Sequence, residues 1–140
     1  MALDEKVRKE IKKELSIDEK RLKNSFKYAF YGIAQSYRGE QNLRIHTLVA
    51  IIVVIGGFFF KISYMEWLVS LILIGLVLMA EFFNTAIEYV VDLASPSVHP
   101  LAKAAKDTAS AGVLIMAIIS LIIGIMIFLP KVIDWIGVLK

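Results

Sequence analysis

No cysteine occurs among the 140 residues, which excludes disulfides, a thiolate nucleophile and a thiolate metal site. Histidine is confined to His46 and His99, and beyond Arg8 the chain holds three arginines, Arg21, Arg38 and Arg44. A phosphatase built on a histidine or aspartate nucleophile with several arginines is therefore a weak fit. The sequence also lacks GxxxxGK[ST], a kinase-type glycine loop and GxGxxG, the backbone cradles by which most nucleotide-binding folds hold phosphates. A nucleotide-using enzyme with this sequence must be of an unusual kind. The opening stretch MALDEKVRKEIKKEL has no apolar core, so no cleaved signal peptide is predicted.

What the sequence has in excess is apolar surface. Hydrophobic residues make up 58% of the chain and the mean hydropathy is +0.69, values that a small soluble domain would not sustain without aggregating. An integral membrane protein is expected, too short to carry a separate soluble catalytic domain. Any chemistry must then use the membrane helices themselves. Three apolar runs approach the roughly 20 residues of a bilayer-spanning helix: about 47–64, 67–91 and 112–129. Lys61 interrupts the first and is expected to snorkel beside Tyr64 and Trp67. Pro130 and Lys131 mark the predicted exit of the third.

Lysine and arginine total eleven in residues 1–46, one in the first connection, two in the second and two after the third run. Three spans place the N-terminus and the second connection on one side, with thirteen basic residues against three. That side is predicted to be cytoplasmic. Residues 20–39 carry Phe26, Phe30, Ile33 and Tyr37 at helical spacing, with Lys20, Arg21, Lys23 and Lys27 near the start. The pattern suits an amphipathic helix on an anionic membrane surface. Upstream, Leu3, Val7, Ile11 and Leu15 recur every four residues in a charged stretch, read as a solvated helical extension over 1–19. Residues 20–140 form the membrane domain.

The uncharged run 67–80 ends in AEFFNTAIEYVVD. At about 100° per residue, Glu81, Asn84, Glu88 and Asp92 fall within an arc of roughly 80° on one helix face. An ionised carboxylate at the centre of a membrane helix costs about 2.5–3.5 kcal/mol on insertion scales, so such residues call for a function or for basic partners in a bundle. Asp92, where the helix should leave the membrane, suits a capping or interfacial role equally well. Carboxylates one or two turns apart suit a hard cation such as Mg²⁺, which takes oxygen ligands and keeps waters or phosphate oxygens. Glu40, in YRGEQNLRIH, is able to complete such a site, although by itself it reads as a surface residue. Lys103 and Lys106 share a helical face in HPLAKAAKD, and lysines beside a metal–carboxylate cluster neutralise a polyphosphate. Spacing alone thus leads to a metal and phosphate site at the cytoplasmic face, without naming a reaction. An ion pathway would also use intramembrane carboxylates, but would leave Lys103 and Lys106 unexplained.

EFFNTAIEYVVD and HPLAKAAKDTASAGV, supported by YRGEQNLRIHT, resemble the small prokaryotic membrane kinases comprising diacylglycerol kinase and undecaprenol kinase, over about residues 20–133. The resemblance implies an all-α fold of three membrane helices and an N-terminal surface helix, assembled as a homotrimer with active sites at the cytoplasmic membrane face between subunits. It implies transfer of the γ-phosphate of ATP, with Mg²⁺, to a lipid hydroxyl, in the plasma membrane of a prokaryote and with no nucleic-acid partner. On this resemblance Glu81 is the general base, Glu40 and Glu88 are metal ligands and Asn84 orients the phosphate and metal groups. Lys106 and Asp107 match a nucleotide-contacting pair, and Arg21, Tyr28 and His99 fall at positions associated with nucleotide or substrate binding. Asp92 and Ser110 are supporting residues; His99 also reads as a polar loop residue contacting backbone, and Ser110 as a helix-packing hydroxyl. The loop SPSVHPLAKAAKD is similar to the undecaprenol kinase branch, so undecaprenol is the expected acceptor, with diacylglycerol the alternative. The charged extension before Lys20 matches nothing in the family.

Overall fold

The computed structural model describes residues 4, 5, 7, 19–97 and 99–138. The predicted stripe residues Leu3, Ile11 and Leu15 lie outside the described residues. Four helices follow in order: α1 (Glu19–Gly39), α2 (Gln41–Phe59), α3 (Tyr64–Ala94) and α4 (Pro100–Val138). The chain divides into two compact units, Met1–Gln35 and Ser36–Lys140. All but the last turn of α1 belongs to the first, where Phe26, Tyr28, Phe30 and Tyr31 are exposed.

In the second unit α2, α3 and α4 are each long and apolar enough to cross a membrane, and the chain is a multi-pass membrane protein. At about 1.5 Å per residue, the 31 residues of α3 and 39 of α4 run well beyond the roughly 30 Å hydrocarbon core. The surplus of both helices carries charge where they meet: Glu88 and Asp92 on α3, Lys103, Lys106 and Asp107 on α4. α3 and α4 pack together more extensively than α2 and α3 do.

The α2–α3 connection has a definite local cause. Ile62 N–H donates to the Gly57 carbonyl and Lys61 N–H to that of Phe58 (3.1 and 3.3 Å), while Lys61 takes a left-handed φ of 49°, together a Schellman stop. Ser63 then starts α3 with a capping box: its hydroxyl accepts from Glu66 N–H, and Glu66 accepts from Ser63 N–H. Hence α2 ends at Phe59 and Tyr64 opens α3, just either side of the Lys61 that interrupts the apolar run. Gly57 makes the tight crossing possible, since a Cβ there would sit 2.7 Å from the Trp67 ring. Phe58 packs on the same ring, centroids 4.9 Å apart.

α4 continues through Pro130 to Val138. The missing Pro N–H weakens the ladder there, but two contacts hold the last turns in place. Lys131 Nζ lies 3.0 Å from Glu66 Oε1, and Trp135 packs edge-on against Phe59.

Burial is inverted relative to a soluble domain. Leu43, Ile62, Val77 and Val113 are the buried apolar side chains among the described residues, while Ser36, Ser70, Glu81, Asn84 and Thr85 are buried polar ones. Large apolar residues cover the outside of all three long helices, as expected where the surroundings are lipid.

Candidate active site

The polar core gathers around Glu81, which is 2% exposed. Its helix presents the acidic face that the spacing of 81, 84, 88 and 92 predicted, and the start of α2 lies against it. Leu43, fully buried, pins that first turn, and His46 three residues on shares its face. His46 Nε2 stands 3.2 Å from Glu81 Oε1. Thr85 returns its hydroxyl to the Glu81 carbonyl at 3.0 Å, which leaves the carboxylate itself to other partners.

Glu40 is the N-cap of α2 in extended conformation, and its side chain makes no capping hydrogen bond. The preceding Gly39 lies near the tip of a side chain from α3: a Cβ there would stand 3.3 Å from the Tyr89 hydroxyl. Tyr37 and Thr47 hydroxyls, 2.6 Å apart, fasten the last turn of α1 to α2. Glu40 and Glu88 are both electrostatic neighbours of Glu81. Three carboxylates from two helices therefore share one region.

Asn84 links that region to α4. Its amide Nδ2 donates to Glu88 Oε1 at 2.9 Å, and its Oδ1 accepts from Ser110 Oγ at 3.2 Å. Ser110 is thus both a helix-packing hydroxyl and the residue that fixes the Asn84 amide. Lys106 Nζ contacts Asp92 Oδ1 at 2.6 Å and has Glu88 in its electrostatic surroundings. Asp107 pairs with Lys103 at 2.8 Å, so the adjacent Lys106 and Asp107 engage different partners. His99 caps α4, its Nδ1 accepting from Leu101 N–H at 3.2 Å. Arg21 and Tyr28 stand on α1 in the other unit.

Among the described residues no group of three His, Asp or Glu side chains is arranged to hold a metal ion. The donors present, carboxylate oxygens of Glu40 and Glu88, nevertheless fit a hard divalent cation that takes few protein ligands and fills its remaining positions with water and phosphate oxygens. A cavity of about 560 Å³ runs between α2, α3 and α4, lined by Val49, Val53, Leu73, Val77 and Leu121 and also by His46.

His46 is the residue that sequence reasoning passed over. It stood inside a recognised stretch, YRGEQNLRIHT, but helical spacing on α2 carries no information about which residue of α3 it faces.

A helical, multi-pass membrane protein with a buried carboxylate, Glu81, and further carboxylates towards the ends of its long helices is the class that fold and site define. Residues 27–128 match the prokaryotic diacylglycerol kinase family, and the chain belongs to it. It is 48% identical over 107 residues to the undecaprenol kinase of Bacillus subtilis (strain 168), covering 76% of this chain and 87% of that one. It is 36% identical over 111 residues to a diacylglycerol kinase of Synechocystis sp., covering 79% and 63% of the two chains. Against a diacylglycerol kinase of Pseudomonas aeruginosa the identity is 35% over 92 residues, covering 66% and 75%.

Proposed function

We propose that the protein is an ATP- and Mg²⁺-dependent lipid kinase that converts undecaprenol to undecaprenyl phosphate at the cytoplasmic face of a prokaryotic plasma membrane. The observation that carries this reading is the position of Glu81, a buried carboxylate in contact with His46, which lines an apolar cavity, and set on the helix that carries Glu88 and Asp92 towards a charged, phosphate-suited junction. A lipid alcohol and a nucleotide are the two substrates such a place suits.

In the proposed reaction Glu81 takes the proton of the lipid hydroxyl as its oxygen attacks the γ-phosphorus of ATP. The bond from that phosphorus to the bridging oxygen breaks, and ADP leaves. Catalysis in phosphoryl transfer is mainly positioning and charge neutralisation. Glu40 and Glu88 would hold Mg²⁺, which when bound neutralises the triphosphate, and Asn84, held between Glu88 and Ser110, keeps the Glu88 carboxylate oriented. Lys106 and Asp107 contact the nucleotide in this reading, with Arg21, Tyr28 and His99 as further contacts carried by the family resemblance, and Asp92 holds Lys106 in place. The domain comprises residues 20–140, acts as a homotrimer and has its N-terminus in the cytoplasm, in keeping with thirteen basic residues on that side.

Undecaprenol is favoured by the 48% identity to a protein of that named activity and by the HPLAKAAKD stretch. Diacylglycerol is the second reading, favoured by the relatives named diacylglycerol kinase. A panel of undecaprenol, shorter polyprenols and diacylglycerol in one detergent decides between them. An apolar cavity discriminates only weakly among alcohols, so undecaprenol is expected to lead diacylglycerol by roughly 10- to 200-fold in kcat/KM. A preference for diacylglycerol overturns the choice of lipid, and failure of every alcohol to be phosphorylated overturns the kinase reading.

A further inference from the structure

Glu81 is buried among charges of its own sign. Glu40, preceding α2, and Glu88, two turns along α3, both act on it electrostatically, and Lys106 of α4 has its closest carboxylate in Asp92. A buried carboxylate in such a place needs a hydrogen-bond partner to be held in one orientation. His46 Nε2, 3.2 Å from Oε1, is the attractive contact the structure provides. The imidazole is itself three-quarters buried, at 23% exposure, and its helix is locked by fully buried Leu43. It also forms part of the cavity wall.

We propose that His46 is a positioning residue for phosphoryl transfer: its Nε2 N–H engages Oε1 of Glu81, fixes the carboxylate plane at the cavity edge, and leaves Oε2 to receive the proton of the lipid hydroxyl. His46 touches neither nucleotide nor phosphate in this scheme and acts through Glu81 alone. It rests on the reading of Glu81 as general base. The contact is suited to this purpose because an imidazole N–H aligns one carboxylate oxygen without competing for the other, and because such contacts tighten further once substrate closes the site. A glutamine at position 46 carries an amide Nε2 at nearly the same reach as the histidine Nε2, whereas alanine carries no donor.

The test compares the full-length protein with His46→Ala, His46→Gln, Glu81→Gln and the His46→Ala/Glu81→Gln double variant, measuring kcat and both KM values for ATP and undecaprenol in one detergent. His46→Ala is expected to lower kcat about 10- to 100-fold, the cost of a misplaced catalytic group. Both KM values should stay within about threefold, since ground-state binding is not altered. His46→Gln should restore most of kcat. The double variant should fall no further than Glu81→Gln, because a residue acting through Glu81 has nothing left to position. Near wild-type kcat in His46→Ala, failure of His46→Gln to recover activity while eluting as wild type, or additive losses in the double variant would each overturn the proposal. If Glu81→Gln alone keeps its activity, it is the reading of Glu81 as base that fails, a result distinct from any of these.

Discussion

Glu81 and its neighbours differ in what each loses when neutralised. Glu81→Gln keeps side-chain shape and a hydrogen-bonding oxygen but cannot take a proton. The variant is expected to fold and bind ATP while kcat falls about 10²- to 10⁴-fold, the usual worth of a general base. Turnover within about threefold of wild type would assign the proton to water or another group. Glu40→Gln and Glu88→Gln should instead raise the Mg²⁺ concentration at half-maximal rate, with part of the rate returning at high Mg²⁺. Unchanged Mg²⁺ titrations in both would remove them from the metal site. At this scale the sequence was informative wherever one helix supplied the geometry. Four residues at offsets of 0, 3, 7 and 11 share a face whatever surrounds them, so the acidic stripe of α3 was visible. The partners across the gap were not, because His46 meeting Glu81, Ser110 meeting Asn84 and Lys106 meeting Asp92 depend on how helices far apart in sequence are rotated against each other.

Helices showed the same division between local and tertiary causes. Apolar runs gave the number of long helices and the charged boundaries between them. Their exact ends depended on capping that hydropathy does not register: Lys61 in a left-handed conformation and the Ser63–Glu66 box stop α2 at Phe59 and begin α3 at Tyr64. Beyond Pro130, α4 continues as helix, and the Lys131–Glu66 and Trp135–Phe59 contacts secure the turns there. Two substitutions test the α2–α3 corner through thermal unfolding in a fixed detergent. Gly57→Ala drives a methyl into the Trp67 ring and should destabilise by about 1–3 kcal/mol, as overpacking does. Lys61→Gly removes a Cβ from a left-handed residue and should stabilise by up to about 1 kcal/mol, the steric relief being partly offset by a more flexible unfolded chain. A higher midpoint for Gly57→Ala or a lower one for Lys61→Gly would contradict the corner described.

For the whole molecule, the absence of cysteine becomes an experimental convenience. Single cysteines introduced by Tyr64→Cys, at the α2–α3 corner, and Ser97→Cys, at the α3–α4 junction, report the two faces of the membrane without background labelling. With the N-terminus in the cytoplasm, a membrane-impermeant maleimide should label Ser97→Cys in inverted vesicles and Tyr64→Cys in right-side-out vesicles. The opposite pattern would place the carboxylate cluster outside the cell and remove its access to ATP.

The depth of Glu81 has a kinetic meaning. Counted from Tyr64 at about 1.5 Å per residue, it lies roughly 26 Å along α3, just within the far boundary of a hydrocarbon layer about 30 Å thick. In the proposed reaction a lipid alcohol reaching that level need not leave the bilayer; it would diffuse sideways within one leaflet, while the nucleotide would arrive from bulk solution. The acceptor is therefore counted in molecules per unit of membrane area. Adding inert detergent or phospholipid at constant total alcohol should then slow the reaction by surface dilution, and in the cell the composition of a single leaflet would set the enzyme's saturation.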